Sequence, residues 1–220
     1  FIQSLLTNVR EAPPQPLLEQ IEEQHYAEVE THIERANVES AVSDFRVFNE
    51  LPEETKQSLS IPGPNGRGKG ALGFVERKPD TDEQEKALGK EPEHKVYFHY
   101  HPSVETTLAQ EIQAAGPEVE SLIIKLRALW ITMEADAYRT LTRLQAENKG
   151  NPYYDDMLAK FFPDGLTRGE PGLRHPKLTL RIMLYMKVGE GSLSANNHFD
   201  GGALTFAVCE SAPGLQVGTP

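Results

Sequence analysis

A histidine and an aspartate two residues apart, His198 and Asp200, are spaced to bind one metal ion together. Their segment is predicted to be extended, and side chains at positions i and i+2 of a strand point to the same side. An imidazole and a carboxylate on one face are two of the three protein ligands in a 2-His-1-carboxylate Fe(II) site. Chance gives roughly one His-x-acid pair in a chain with 7 His and 33 acids, so the spacing needs support from its context.

Other histidines are weaker candidates for a metal site. His32 and Glu34 have the same spacing but lie in a helical pattern, where positions i and i+2 face different directions. We interpret His25 and His32 as solvated or half-buried residues of that helix. His99 and His101 would share a face in an extended segment, and their aromatic neighbours favour packing or the lining of a substrate pocket.

Composition limits the classes of partner. A net charge of −11 argues against nucleic-acid binding, which depends on basic patches. The chain has no run of 18 or more apolar residues, so no membrane partner is expected. The single cysteine, Cys209, excludes an internal disulfide framework and fits a reducing, cytoplasmic location. The opening residues show no basic-then-apolar leader pattern, so no targeting segment is expected. The oligomeric state is left open.

Helical periodicity dominates the first three quarters of the chain. It predicts helices over 17–38, after Pro52, over 117–148 and over 153–161. The longest of these has an apolar stripe that we expect to be core: Val119, Leu122, Ile123, Leu126, Leu129, Trp130, Met133, Ala137, Leu141 and Leu144.

The period changes from 3.6 to 2 near residue 177. Alternation over 178–185 predicts a strand, and further strands are expected around His198 and over 203–208. Residues 71–75 are also predicted to be extended. The order of elements predicts an α+β protein with helices packed on a sheet or barrel.

The glycine-rich segment 63–70 nearly matches the phosphate-binding loop G-x-x-x-x-G-K-[ST]. Gly70 stands where the hydroxyl belongs, and the segment lacks the buried strand before it and the helix after it that the motif requires. We interpret it as a mobile glycine loop and leave a nucleotide-binding protein as a minor alternative.

The C-terminal block carries a family resemblance. Residues 180–185 have the pattern of a strand that ends in Tyr. After a loop, residues 198–205 match H-x-D-x-x-x-L-T, and residues 214–217 then match G-L-Q-V. Upstream segments agree in order with F-F-x-L-P-x-E-x-K, a glycine-aromatic loop and K-E-x-F, at 45–56, 73–74 and 93–98. Over most of 42–220 the chain thus resembles the 2-oxoglutarate/Fe(II)-dependent dioxygenases of the isopenicillin N synthase-like group.

That resemblance implies an architecture. The family fold is a double-stranded β-helix, or jelly roll, with N-terminal and packing helices. We therefore expect one domain with three regions: an N-terminal helical and loop region at 1–116, a long packing helix and connection at 117–177, and the first part of the jelly-roll core, with the iron-binding strand, at 178–220.

The resemblance also implies a reaction. It predicts a non-haem Fe(II) and 2-oxoglutarate-dependent oxygenase that hydroxylates or desaturates a small organic molecule through a ferryl-oxo intermediate, with ascorbate as a candidate reductant. His198 and Asp200 match the first two iron ligands. Tyr185 matches a tyrosine that hydrogen-bonds the cosubstrate, and Arg181 is a second candidate for cosubstrate binding. Met183 stands where many relatives have Asn, and Met cannot donate that hydrogen bond.

The family's distal histidine and the Arg-x-Ser pair that binds the 2-oxoglutarate carboxylate follow G-L-Q-V, whereas this sequence ends at Pro220. We therefore expect a C-terminally incomplete fold, and His175 is a poor substitute for the third ligand because it precedes the strand. The alternative is a truncated or catalytically inactive relative that acts as a binding module. A further alternative is that His198 and Asp200 bind no metal and are a structural polar pair at the mouth of the barrel. The substrate is not identified, and 78–102 and 186–197 are candidate pocket walls.

Overall fold

The structure is a computed structural model that describes residues 15–63, 71–77, 94–186 and 205–208. This part of the chain has a mixed α+β fold, which confirms the predicted class. One four-stranded antiparallel sheet is accompanied by helices. The helices are α1 Leu17–Gln24, α2 Arg35–Asn49, α3 Glu53–Ser58, α4 Ser103–Thr107, α5 Ala109–Ala115, α6 Pro117–Glu147 and α7 Met157–Phe161.

The sheet has its strands in chain order. They are β1 Ser60–Ile61, β2 Leu72–Arg77, β3 Lys95–Tyr100 and β4 Leu180–Tyr185, and each is antiparallel to the next. Of the four strands in the described ranges, three precede residue 177, so the prediction that the chain changes from helices to strands there is wrong. β3 is a short run rich in aromatic residues, which suit the pleated surface of a sheet.

The chain divides into two compact units. The sheet unit comprises Ile33–Trp130 and Leu178–Cys209, and the helical unit comprises Phe1–His32, Ile131–Lys177 and Glu210–Pro220. The expectation of one domain with three regions stays a prediction.

Aromatic residues form the core of the sheet unit. The Phe48 ring of α2 lies with its centroid 5.9 Å from that of Phe45, 5.7 Å from that of Phe74 and 5.8 Å from that of Phe98. All four rings are fully buried. Helix α2 therefore covers one face of β2 and β3, which we call the core face.

The long helix agrees with its prediction. Helix α6 runs from Pro117 to Glu147, and every residue of the predicted apolar stripe is buried. The indole Nε1 of Trp130 donates a hydrogen bond to the Leu178 carbonyl at 2.9 Å, and β4 begins two residues later. The helix thus fixes the start of the strand that carries Arg181 and Tyr185.

The first helix is shorter than predicted. It ends at Gln24, because His25 adopts a left-handed conformation with φ 65° that closes the helix through a hydrogen bond to Ile21. The Asp136 carboxylate then accepts hydrogen bonds from the Thr31 hydroxyl at 2.8 Å and the His32 amide at 3.0 Å. This tertiary contact satisfies the backbone outside a helix, so the placement of His25 and His32 within one is wrong.

Three smaller predictions have mixed outcomes. The helix start after Pro52 and the extended segment after residue 71 are confirmed by α3 and β2. The short helix begins at Met157, four residues later than predicted. The strand predicted over 203–208 is described only at 205–208, and these four residues form no strand. Among the helices of the described ranges, none is both long and apolar enough to cross a bilayer.

Candidate functional site

Strand β4 presents its polar side chains on one face. Lys95 of β3 pairs with Tyr185, Tyr97 with Met183, and His99 with Arg181. Because side chains alternate along a strand, both sequence-predicted cosubstrate residues lie on the same side of the sheet, with Met183 between them. Ile182 and Leu184 point to the core face. The face of β4 that was predicted to be apolar is therefore the face turned toward the core.

The face opposite the core face is basic, and we call it the basic face. It includes the strand positions Gly73, Val75, Arg77, Lys95, Tyr97, His99, Arg181, Met183 and Tyr185. Three of these residues are cations and none is an acid, in a chain whose net charge is −11. Cations gathered on one surface raise the local concentration of anions.

Arg181 and His99 form the central contact of this face. The guanidinium Nε–H of Arg181 donates to the Nε2 atom of His99 at 2.6 Å. The other ring nitrogen, Nδ1, lies 2.8 Å from the carbonyl oxygen of Ala71, which can only accept. His99 is therefore a neutral imidazole with its proton on Nδ1. Burial lowers the pKa of His99 to about 4, against the smaller opposing effect of the Ala71 hydrogen bond.

Tyr97 contacts both partners. Its ring centroid is 4.7 Å from the His99 ring and 5.4 Å from the Cζ atom of Arg181. The second distance places the guanidinium over the aromatic face, a favourable cation–π geometry. Burial raises the pKa of Tyr97, and the charges of Arg181 and Arg77 oppose that increase, so the phenol stays protonated near neutral pH.

Tyr185 lies at the far end of β4. It is 42% exposed, and the Nζ atom of Lys95 lies 5.9 Å from its ring centroid. A phenol donates one hydrogen bond and an ammonium donates three, so this end of the basic face also suits an anionic oxygen. The assignment of Tyr185 to cosubstrate binding stays a prediction.

The predicted iron ligands His198 and Asp200 lie outside the described residues, as do 187–197 of one candidate pocket wall and 78–93 of the other. Most of the glycine-rich loop, 64–70, lies outside them too. Within the ranges that are described, no three His, Cys, Asp or Glu residues are grouped to hold a metal ion. His99 is unsuited as a ligand because both of its nitrogens are hydrogen-bonded.

His99 and His101 have different partners. Strand β3 ends at Tyr100, and the Nδ1 atom of His101 lies 2.8 Å from the Ser103 hydroxyl at the start of α4. The His101 ring packs at 6.1 Å from Trp130. Of the two roles that the sequence suggested, packing and the lining of a substrate pocket, the structure shows packing for His101. The interpretation missed the contact of His99 with Arg181, because the two residues are 82 positions apart and only the strand register joins them.

The helical unit contains a second polar cluster. Glu134 is completely buried, and its carboxylate accepts hydrogen bonds from the Thr167 amide at 2.9 Å, the Thr167 hydroxyl at 2.7 Å and the Arg168 amide at 2.8 Å. His175 lies with its Nδ1 atom 2.8 Å from the same hydroxyl. The hydroxyl proton is already donated to Glu134, so Nδ1 of His175 is the donor in that contact. The cluster closes the loop after α7 onto α6.

Comparisons of this chain with protein-family models, with curated proteins and with solved structures give no match. What the site can do therefore follows from its own residues.

Proposed function

We propose that this protein is a non-haem Fe(II) and 2-oxoglutarate-dependent oxygenase that hydroxylates or desaturates a small organic molecule. The finer fold that we propose with it is a jelly roll, to which the four-stranded sheet would contribute. The observation that carries the proposal is the register of β3 and β4, because Tyr185, which matches the family's cosubstrate tyrosine, shares the basic face with Arg181, the second candidate for cosubstrate binding.

The basic face fits the cosubstrate. 2-Oxoglutarate is a dianion with two planar carboxylates, and guanidinium, ammonium and phenol groups are the donors that bind such oxygens. Met183 contributes an apolar contact between the polar residues and no strong hydrogen bond. Arg181 and Tyr185 are the candidate donors on this face in place of the asparagine that the chain lacks at position 183.

The iron would be held by His198 and Asp200 on the family pattern. A neutral imidazole and a carboxylate suit Fe(II) and leave coordination positions open. When bound there, Fe(II) and 2-oxoglutarate would supply the chemistry of an O₂-dependent oxidation. This chain's own residues bind the cosubstrate, orient it through charged hydrogen bonds and exclude competing cations from the basic face.

Anaerobic Fe(II) titration tests the proposal. With 2-oxoglutarate present, we expect a weak visible metal-to-ligand charge-transfer band in the wild-type protein and its loss in His198→Ala. Removing an iron ligand should weaken Fe(II) binding by about a hundredfold or more, since even outer residues of metal sites cost about 10- to 100-fold.

His25→Asn is the matched control. His25 is exposed and has φ 65°, a conformation that asparagine tolerates, so this variant removes one imidazole without disturbing the fold. It should titrate like the wild type. Equal Fe(II) affinity in wild type and His198→Ala would make His198 a structural residue. It would favour the inactive binding module over the oxygenase.

A further inference from the structure

The strongest unassigned feature is the way in which His99 holds Arg181. The Ala71 carbonyl requires a proton on Nδ1 of His99, which leaves Nε2 as an acceptor for the Nε–H of Arg181. His99 is only 7% exposed, so its ring cannot turn freely. With its pKa near 4, the imidazole keeps this tautomer at neutral pH.

Two contacts therefore fix the plane of the guanidinium. One is the hydrogen bond from Nε, and the other is the Tyr97 ring, whose centroid lies 5.4 Å from Cζ of Arg181. Within the described ranges, His99 is the only hydrogen-bond partner of the Arg181 side chain. The two Nη groups then remain as a rigid pair of parallel donors, the geometry that matches a carboxylate in two hydrogen bonds.

The strand positions around Arg181 favour an anion at its Nη donors, because no strand position of the basic face is acidic. Arg181 is exposed, whereas His99 and Tyr97, which support it, are buried. An exposed cation on buried, pre-organised supports loses little conformational entropy when a ligand binds.

We propose that the Nη edge of Arg181 is a carboxylate-binding site and that His99 is the positioning residue that orients it. The proposal rests on the proposed function for the identity of the acid. The carboxylate belongs either to 2-oxoglutarate or to an acidic organic substrate, and binding experiments distinguish these two sources.

The test is calorimetric titration of the full, metal-free chain with 2-oxoglutarate and, separately, with benzoate. Arg181→Gln should weaken binding about tenfold or more, since it removes a charge-assisted pair of hydrogen bonds. Arg35→Gln is the matched control, because Arg35 forms an exposed pair with Glu39 on α2 and its loss changes the net charge equally. It should bind both acids like the wild type.

The two acids separate the sources. Arg181-dependent binding of 2-oxoglutarate alone assigns the site to the cosubstrate. Dependence for benzoate alone assigns it to an acidic substrate, and dependence for both assigns it to the carboxylate that they share. Binding of neither acid, or equal binding by wild type and Arg181→Gln, overturns the proposal.

Two further variants test positioning. His99→Gln retains a side-chain oxygen able to accept from Arg181 and should bind within about threefold of wild type, whereas His99→Leu should lose as much as Arg181→Gln. If the glutamine variant, folded by circular dichroism, binds as weakly as Arg181→Gln, the positioning role is refuted. Iron does not enter these titrations. If carboxylate binding fails while Fe(II) still binds as proposed, only this inference is refuted. If Fe(II) binding fails while the carboxylate still binds, only the proposed function is refuted.

Discussion

Gly73 is the position at which a single methyl group should most disturb the basic face. It lies in β2 opposite His99 and has φ 73°. A Cβ atom built there would lie 2.0 Å from the carbonyl oxygen of Leu59, closer than any real contact of this type. That oxygen accepts the Phe74 amide hydrogen bond at 2.8 Å. Gly73→Ala must therefore displace a backbone group that is already in use.

The expected cost has two parts. A left-handed conformation costs a residue with a Cβ about 1 kcal/mol or somewhat more. Displacing the Leu59 carbonyl leaves the buried Phe74 amide without its partner, which costs about 1–3 kcal/mol. We expect Gly73→Ala to lower the free energy of unfolding by about 3 kcal/mol. Gly150→Ala is the control, because Gly150 has φ 88° but no atom within 4 Å of the place where a Cβ would lie, so only the first cost of about 1 kcal/mol applies.

Equilibrium unfolding in urea, followed by far-UV circular dichroism, measures both variants. Carboxylate affinity provides a second readout, since Ala71 and Gly73 hold the segment that fixes His99. We expect Gly73→Ala to weaken 2-oxoglutarate binding and Gly150→Ala to leave it unchanged. Equal destabilisation by the two substitutions would show that β2 moves away from Leu59 at no cost, and the close approach would then not explain this glycine.

Two further predictions concern buried polar groups. Burial lowers the pKa of His99 from 6.5 to about 4, so the unfolded chain takes up this proton first as the pH falls. Stability contributed by neutral His99 is full above pH 6.5 and is lost on acidification towards pH 4, by about 3 kcal/mol at 1.36 kcal/mol per pKa unit. Urea unfolding across this pH range should show a free energy of unfolding that falls on acidification in wild type and falls less steeply in His99→Gln. Parallel curves for the two proteins would contradict a lowered pKa at His99. In the helical unit, Glu134→Gln turns one acceptor of the buried carboxylate into a donor facing the Arg168 amide and should cost about 2–3 kcal/mol. Hydrogen exchange should accelerate at the amides of Thr167 and Arg168, whereas Glu120→Gln, an exposed change on the same helix, should leave it as in wild type.

Local periodicity explains which predictions succeeded. The apolar stripe of α6 repeats over many turns, so its buried face could be read directly from the sequence. The alternation of β4 likewise predicted a strand and placed Arg181 and Tyr185 on one side of it. The helix predicted over 17–38 failed because Asp136, more than 100 residues away, binds Thr31 and His32 in a non-helical segment. Propensity is a weak guide where such a contact competes with it.

By itself the sequence determined the α+β class, the long helix and the strand 180–185. Only the tertiary structure decided that His99 pairs with Arg181, that Tyr97 contacts both, and that Arg77 and Lys95 share their face. The physical reason is that the two kinds of feature arise over different distances along the chain. Periodicity arises from neighbouring residues, whereas the register of β3 and β4 joins residues 82 positions apart and is selected by burial of the opposite, apolar face.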